Sequence, residues 1–140
     1  MQPDTRLARI LHILVHMHLR GGTTTSETIA KMLHTQPSLV RRTMASLREA
    51  GYVESITGPG GGWVLSCKLS DLTVRDIYAA IARKSPFAIG PADDNPACPV
   101  ERAINGFLDD ALGSAEEALL RRLAKTRLSD IARAVQAPKA

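Results

Sequence analysis

The chain has 140 residues, 44% of them hydrophobic and 23% charged, the composition of one globular domain with a real core. Aromatic residues make up only 4%, which argues against an aromatic-lined cofactor pocket or a base-stacking platform, and recurrent Leu, Ile and Val argue against disorder. Residues 1–70 carry eight Lys/Arg against four Asp/Glu, and residues 71–140 carry ten against ten. The whole net charge of +4 and all four histidines therefore lie in the first half, as expected for a polyanion-facing part joined to a part with another task. The longest uncharged run, Ser55 to Cys67, is broken by glycines and is no membrane span. The N-terminus lacks the order of a signal peptide. Two cysteines, Cys67 and Cys98, make neither a disulfide framework nor a zinc site. The expectation is a cytoplasmic protein with reduced thiols and no membrane partner.

In chain order, Thr5 to Leu19 reads as a helix with Leu7, Leu11, Leu14, Val15 and His18 inward. Gly21-Gly22 ends it, and Thr23 to Ser26 offers N-caps for a short helix burying Ile29, Ala30 and Leu33. After His34-Thr35-Gln36, Pro37 suits the first turn of a further helix, with Val40, Met44 and Leu47 inward and Gly51 just past its end. Two strands, Tyr52–Ile56 and Trp63–Ser66, flank the turn Thr57-Gly58-Pro59-Gly60-Gly61-Gly62. Thr73 to Arg83 is helical, with Val74, Ile77, Ala80 and Ile81 inward; Ser85 to Ala97, with three prolines, is a loop. A long helix starts at Cys98 or Pro99 and runs to about Lys125, carrying the stripe Val100, Ile104, Leu108, Ala111, Ala115, Leu119 and Leu123. Leu128 to Val135 is a last short helix before a frayed tail, Ala137 to Ala140. The expected organisation is residues 1–84 as one domain, 85–97 as a loop, and 98–140 as a pairing helix with a short C-terminal helix.

Helix, helix, tight turn, helix, hairpin is the order of a winged helix-turn-helix: mainly α, with a small β-hairpin. Its recognition helix enters the major groove, and Ser38, Leu39, Arg41, Arg42 and Thr43 occupy the first two turns of that helix. Arg41 and Arg42 lie beside the inward Val40 and Met44, so they point outward, where arginine can bridge two guanine acceptors or two phosphate oxygens. The candidate DNA-contacting set is Thr25, Ser38, Leu39, Arg41, Arg42 and the wing residues Thr57, Gly58, Pro59, Gly60 and Gly61. Consecutive glycines suit a tight turn or close approach to another backbone, such as a phosphodiester. A nucleotide-phosphate loop would open onto a helix, whereas Trp63-Val64-Leu65 follows here as strand.

The stretch from Ser38 to Ser55, the wing Gly58-Pro59-Gly60-Gly61-Gly62-Trp63-Val64-Leu65, the segment Leu72-Thr73-Val74-Arg75-Asp76-Ile77 and Cys98-Pro99-Val100 resemble the Rrf2 family of bacterial transcription regulators. The resemblance implies a homodimeric DNA-binding winged helix, usually a repressor, paired through the long helix. Two recognition helices would then lie about 34–36 Å apart and read a near-palindrome. The sequence departs from the family in two places. Well-known members hold an iron–sulfur cluster on three cysteines in the loop before the long helix; here that loop has none and only Cys98 matches. A cluster needs about three or four thiolate or imidazole ligands, Glu101 stands where some members have a histidine, and the expectation is a regulator with no cofactor. Thr57 stands where the family usually has a wing arginine, which points to a phosphate contact there.

Cys98 opens the long helix, a position that favours the thiolate. It is the redox candidate, switching through Cys98 of a partner subunit, Cys67 or a small thiol; alternatively it is a small half-buried apolar residue. His12 and His16 have i, i+4 spacing but lack companion ligands, so no metal site is expected. No nucleophile–base constellation points to an enzyme. A winged helix used for protein interaction is the competing reading, and it leaves the arginines and the charge asymmetry unexplained. A small-molecule effector is the alternative signal to thiol oxidation.

Overall fold

The computed structural model describes residues 3–81 and 85–136. The end of the helix expected to reach Arg83 and the tail 137–140 lie outside the described residues. The chain divides into two compact units, one comprising 1–82 with 124–140 and the other 83–123.

In the first unit, α1 (Arg6–Arg20) carries an apolar row at Ile10, Ile13, Leu14 and Met17, all buried together with Val15. The spacing of three, four and seven is that of one helix face. The sequence reading chose a neighbouring face. Leu14 and Val15 are buried as expected, but Leu7 and Leu11 are only half-buried and His18 is exposed. Both apolar rows satisfy the periodicity, and the packing of α4 and α6 on α1 selects between them.

Helix α2 (Ser26–Leu33) is capped by Thr25, whose Oγ1 accepts the Thr28 N–H at 3.1 Å. His34 ends it in the left-handed region, φ 53°, which a histidine tolerates better than a branched side chain. This turn lets α3 (Pro37–Glu49) start three residues later, with Pro37 in its first turn and Val40, Met44 and Leu47 fully buried. Strands β1 (Val53–Ile56) and β2 (Gly62–Leu65) pair antiparallel, Val53 opposite Leu65 and Ile56 opposite Gly62. Thr24 adds a backbone bridge to the hairpin: its N–H donates to the Trp63 carbonyl at 3.0 Å, and Trp63 N–H donates back at 2.8 Å.

Thr73 caps α4 (Val74–Ala80) in a reciprocal box with Asp76: each side chain accepts the other's backbone N–H, at 3.1 and 2.9 Å. The long helix α5 (Pro99–Ala124) belongs to the second unit up to Leu123. The sequence reading grouped α6 (Leu128–Gln136) with the long helix, but the contacts of α6 are with the first unit. Leu128 N–H donates to the Leu72 carbonyl at 2.9 Å, Val74 N–H donates to the Thr126 carbonyl at 2.9 Å, and Leu128 and Ala132 are buried. These backbone bonds and this apolar burial outweigh sequence proximity.

Thr24 is 1% exposed, and its Oγ1 finds no hydrogen-bond partner among the described residues. A buried unsatisfied hydroxyl costs about 1–3 kcal/mol. Thr24→Val keeps the shape and the β preference, so the variant is expected to be at least as stable as the parent, by up to about 1 kcal/mol. Urea denaturation checks this; a lower midpoint at unchanged slope would show that the hydroxyl is needed.

Candidate nucleic-acid interface

The wing is built by its own backbone. Gly61 N–H donates to the Gly58 carbonyl at 2.9 Å, closing a turn with Pro59 second and Gly60 third at φ 74°. This is the type II pattern, in which proline presets the second position and glycine supplies the positive φ of the third. At Gly61 a Cβ would lie 2.2 Å from the Ile56 carbonyl oxygen, and at Gly62 one would lie 2.9 Å from the Thr24 carbonyl. The close approach that the glycine run signals is thus to the chain's own backbone. Gly61→Ala is expected to cost about 1–3 kcal/mol, because backbone rather than a flexible side chain must yield. It is also expected to weaken DNA binding; a thermal melt and a binding titration on the same sample check both.

Trp63 fastens the wing to the helices. Its Nε1–H donates to Ser26 Oγ at 3.0 Å, and the Arg48 guanidinium stands 5.8 Å from its ring centre. Thr23 Oγ1 donates to the Gly60 carbonyl at 3.0 Å, tying the wing tip to the segment before α2. Sequence reasoning missed Trp63 as the anchor and Thr23 as a tip contact. Only register shows that Thr24 pairs with Trp63.

The candidate residues lie at the cap of α2, on α3 and at the wing tip, all in the first unit. Ser38, Arg41 and Arg42 are exposed on α3, Leu39 is half-buried, and Thr57 to Gly60 are exposed at the wing tip, with Gly61 half-buried. Thr43 is half-buried and donates its hydroxyl to the Leu39 carbonyl at 2.9 Å; Thr25 is occupied in capping α2. Arg41 Nη1 lies 3.5 Å from Glu27 Oε1 of α2, a pair more than half exposed on both sides and therefore weak. Arg42 meets no acidic side chain among the described residues. The surface thus offers two arginines, one leashed and one free.

These elements match a family model described as Rrf2, iron-dependent transcriptional regulator, over residues 4–134. The chain belongs to the Rrf2 family. It is a helix-turn-helix transcription regulator and not an enzyme. YwnA of Bacillus subtilis, assigned as an HTH-type transcriptional regulator, is 31% identical over 129 residues, 91% of this chain and 95% of YwnA. A solved structure of a protein described as DNA-binding is 31% identical, with TM-score 0.69, covering 90% of this chain and 97% of the other. A regulator-type protein of Lactobacillus plantarum superposes with TM-score 0.79 at 19% identity, over 94% of this chain and 90% of its own, a likeness of fold.

The iron dependence of the family description does not fit the donors of this Rrf2 chain. Among the described residues no three His, Cys, Asp or Glu side chains gather as a metal site. Residues 85–97 hold no cysteine, and both Glu101 carboxylate oxygens accept the Asn95 N–H at 3.1 Å. Cys98 is half-buried, and its carbonyl accepts the Arg102 N–H at 3.1 Å, which makes it the N-cap of α5. Cys67 donates to the Tyr52 carbonyl at 3.8 Å, and burial, with Asp71 beside it, pushes its thiol pKa up. Cys67 is held as the thiol, the poorer nucleophile. The His12 and His16 rings lie 4.7 Å apart and tilted by 35°, and desolvation, followed by the nearby His16, lowers the His12 pKa. A charged imidazole is therefore disfavoured at His12. No helix among the described residues is long and apolar enough to cross a membrane.

In the second unit, α5 has no buried residue. Asn105 clasps Ala92 with two bonds, 3.0 and 2.8 Å, so one face of α5 holds the loop. Val100, Ile104 and Phe107 stand 65%, 54% and 70% exposed. Ala111 and Ala115 are exposed, whereas Leu108, Leu119 and Leu123 are half-buried. Sequence reasoning missed Phe107 by following Leu108. The signal was the 4-3-4 spacing Val100, Ile104, Phe107, Ala111.

Proposed function

We propose that this regulator binds DNA as a homodimer, with α3 in the major groove and the wing tip Thr57 to Gly61 against the backbone. The observation that carries the contact assignment is the exposed, acid-free Arg42 on α3, beside Ser38, Leu39 and Arg41 and joined by the Trp63-anchored wing. Thr25 supports the surface by fixing the start of α2. The apolar row on α5, exposed at Val100, Ile104, Ala111 and Ala115 and half-buried at Leu108, Leu119 and Leu123, supports pairing of two copies, because exposed apolar surface seeks cover. Action as a repressor and a cytoplasmic location follow the family habit.

The protein works without an iron–sulfur cluster on this reading, because the loop that would supply the ligands has no cysteine. Its switch is Cys98 oxidation or an unidentified small ligand. Fluorescence anisotropy on the DNA upstream of the protein's own gene, against random DNA, tests the assignment. Specific binding with a steep fall in affinity as salt rises is expected. Loss on mild oxidant, recovery with dithiothreitol and indifference of Cys98→Ser would establish the thiol switch. An oxidant response retained in Cys98→Ser would dismiss it.

A further inference from the structure

The first unit holds a cavity of about 380 Å³ at the meeting of α1, α3 and the end of α4. Its walls carry three arginines, Arg6, Arg9 and Arg42, around apolar Ile10, Leu39 and Ile81, and no acidic residue lines it among the described residues. Arg6 is paired from outside by Asp4 at 3.3 Å, and Arg9 has a long 3.4 Å contact to Thr5. The lining hydroxyls already donate to their own helix, Thr43 to the Leu39 carbonyl and Ser46 to the Arg42 carbonyl at 3.4 Å. The donors left to this cavity are therefore the guanidinium N–H groups that Asp4 and Thr5 do not take up, well matched to carboxylate or phosphate oxygens.

The geometry points to a binding site for a small amphipathic anion, an anionic head between the arginines with an apolar body on Ile10, Leu39 and Ile81. A phosphodiester strand offers the anion but no apolar body, so it would leave that floor uncovered. A volume of this size is at the low end of small-ligand pockets. Arg42 serves this cavity and also the proposed DNA contact. A bound anion would occupy its guanidinium, so ligand and DNA exclude each other, and by linkage each weakens the other equally. That consequence rests on the DNA assignment above; the site itself does not.

The test uses the full chain and anilinonaphthalene sulfonate, a dye with one anionic head and an aromatic body. Saturable binding is expected without DNA. Arg9→Gln and, independently, Arg6→Gln should each weaken it about tenfold, while Ile89→Ser, at an exposed apolar residue of the second unit, should leave it unchanged. Octanoate should displace the dye, and inorganic phosphate at equal ionic strength should not. Absence of dye binding, binding insensitive to both arginine variants, loss in Ile89→Ser, or equal displacement by phosphate would each overturn the site. In a second arm, saturating octanoate should weaken specific DNA binding by the parent and much less that by Arg9→Gln. Dye binding with unmoved DNA affinity would overturn the coupling. Because the first arm contains no DNA, a failed DNA assignment leaves its result intact.

Discussion

Leu128→Ala is expected to destabilise the winged-helix unit by about 2–5 kcal/mol. Leu128 is 0% exposed although it follows the long helix. Its N–H bonds to Leu72, and the neighbouring Arg127 guanidinium donates to the Ser70 carbonyl at 2.8 Å. The leucine thus closes a core whose buried members outside α6 lie more than fifty residues earlier in the sequence. Truncating it removes three methyl-sized groups where backbone pairing limits collapse, which puts the cost in the upper part of that range. At about 2–4 °C per kcal/mol for a chain of this size, a thermal melt followed by circular dichroism should shift down by roughly 10 °C. A variant melting within a degree or two of the parent would mean that α6 is not a structural part of the first unit. The DNA surface is distant in sequence from the change, so DNA affinity well below the melt should stay near that of the parent.

Arg42→Ala is expected to weaken specific DNA binding by about 1–3 kcal/mol, roughly fivefold to 150-fold, if its guanidinium bridges a base. If it holds only phosphate, affinity for all sequences should fall alike, and the salt slope should drop by about one. Arg41 should behave differently. It is already engaged by Glu27, so Arg41→Ala removes a cation that is partly neutralised. Glu27→Gln should tighten DNA binding a few-fold, since it frees Arg41 and removes an anion from the same surface. Anisotropy titrations of the three variants at two salt concentrations separate these outcomes. An Arg42→Ala protein with unchanged affinity, specificity and slope would take Arg42 out of the interface.

Local chemistry made much of this protein legible from its residues alone. Val40, Met44 and Leu47 form the inner face of the recognition helix as their spacing requires, Pro37 opens it, and the glycine-rich turn joins two strands. The span of α5, Pro99–Ala124, follows from an uninterrupted helical pattern after a proline-rich loop. Two features were beyond the sequence. Helix α1 has two rows that satisfy one periodicity, and only α4 and α6 packing on it decides that Ile10, Ile13 and Met17 go inside. The destination of α6 is set by backbone bonds to Leu72 and Val74 that no local pattern encodes. The same limit applies at the surface. The sequence presents Arg41 and Arg42 as equals, and only the fold brings Glu27 to the first and Arg6 and Arg9 around a cavity with the second. Periodicity, capping and turn chemistry act over a few neighbouring residues and so can be read in order along the chain. Face selection, docking and charge pairing depend on which distant segments meet, and those meetings exist only in the folded chain.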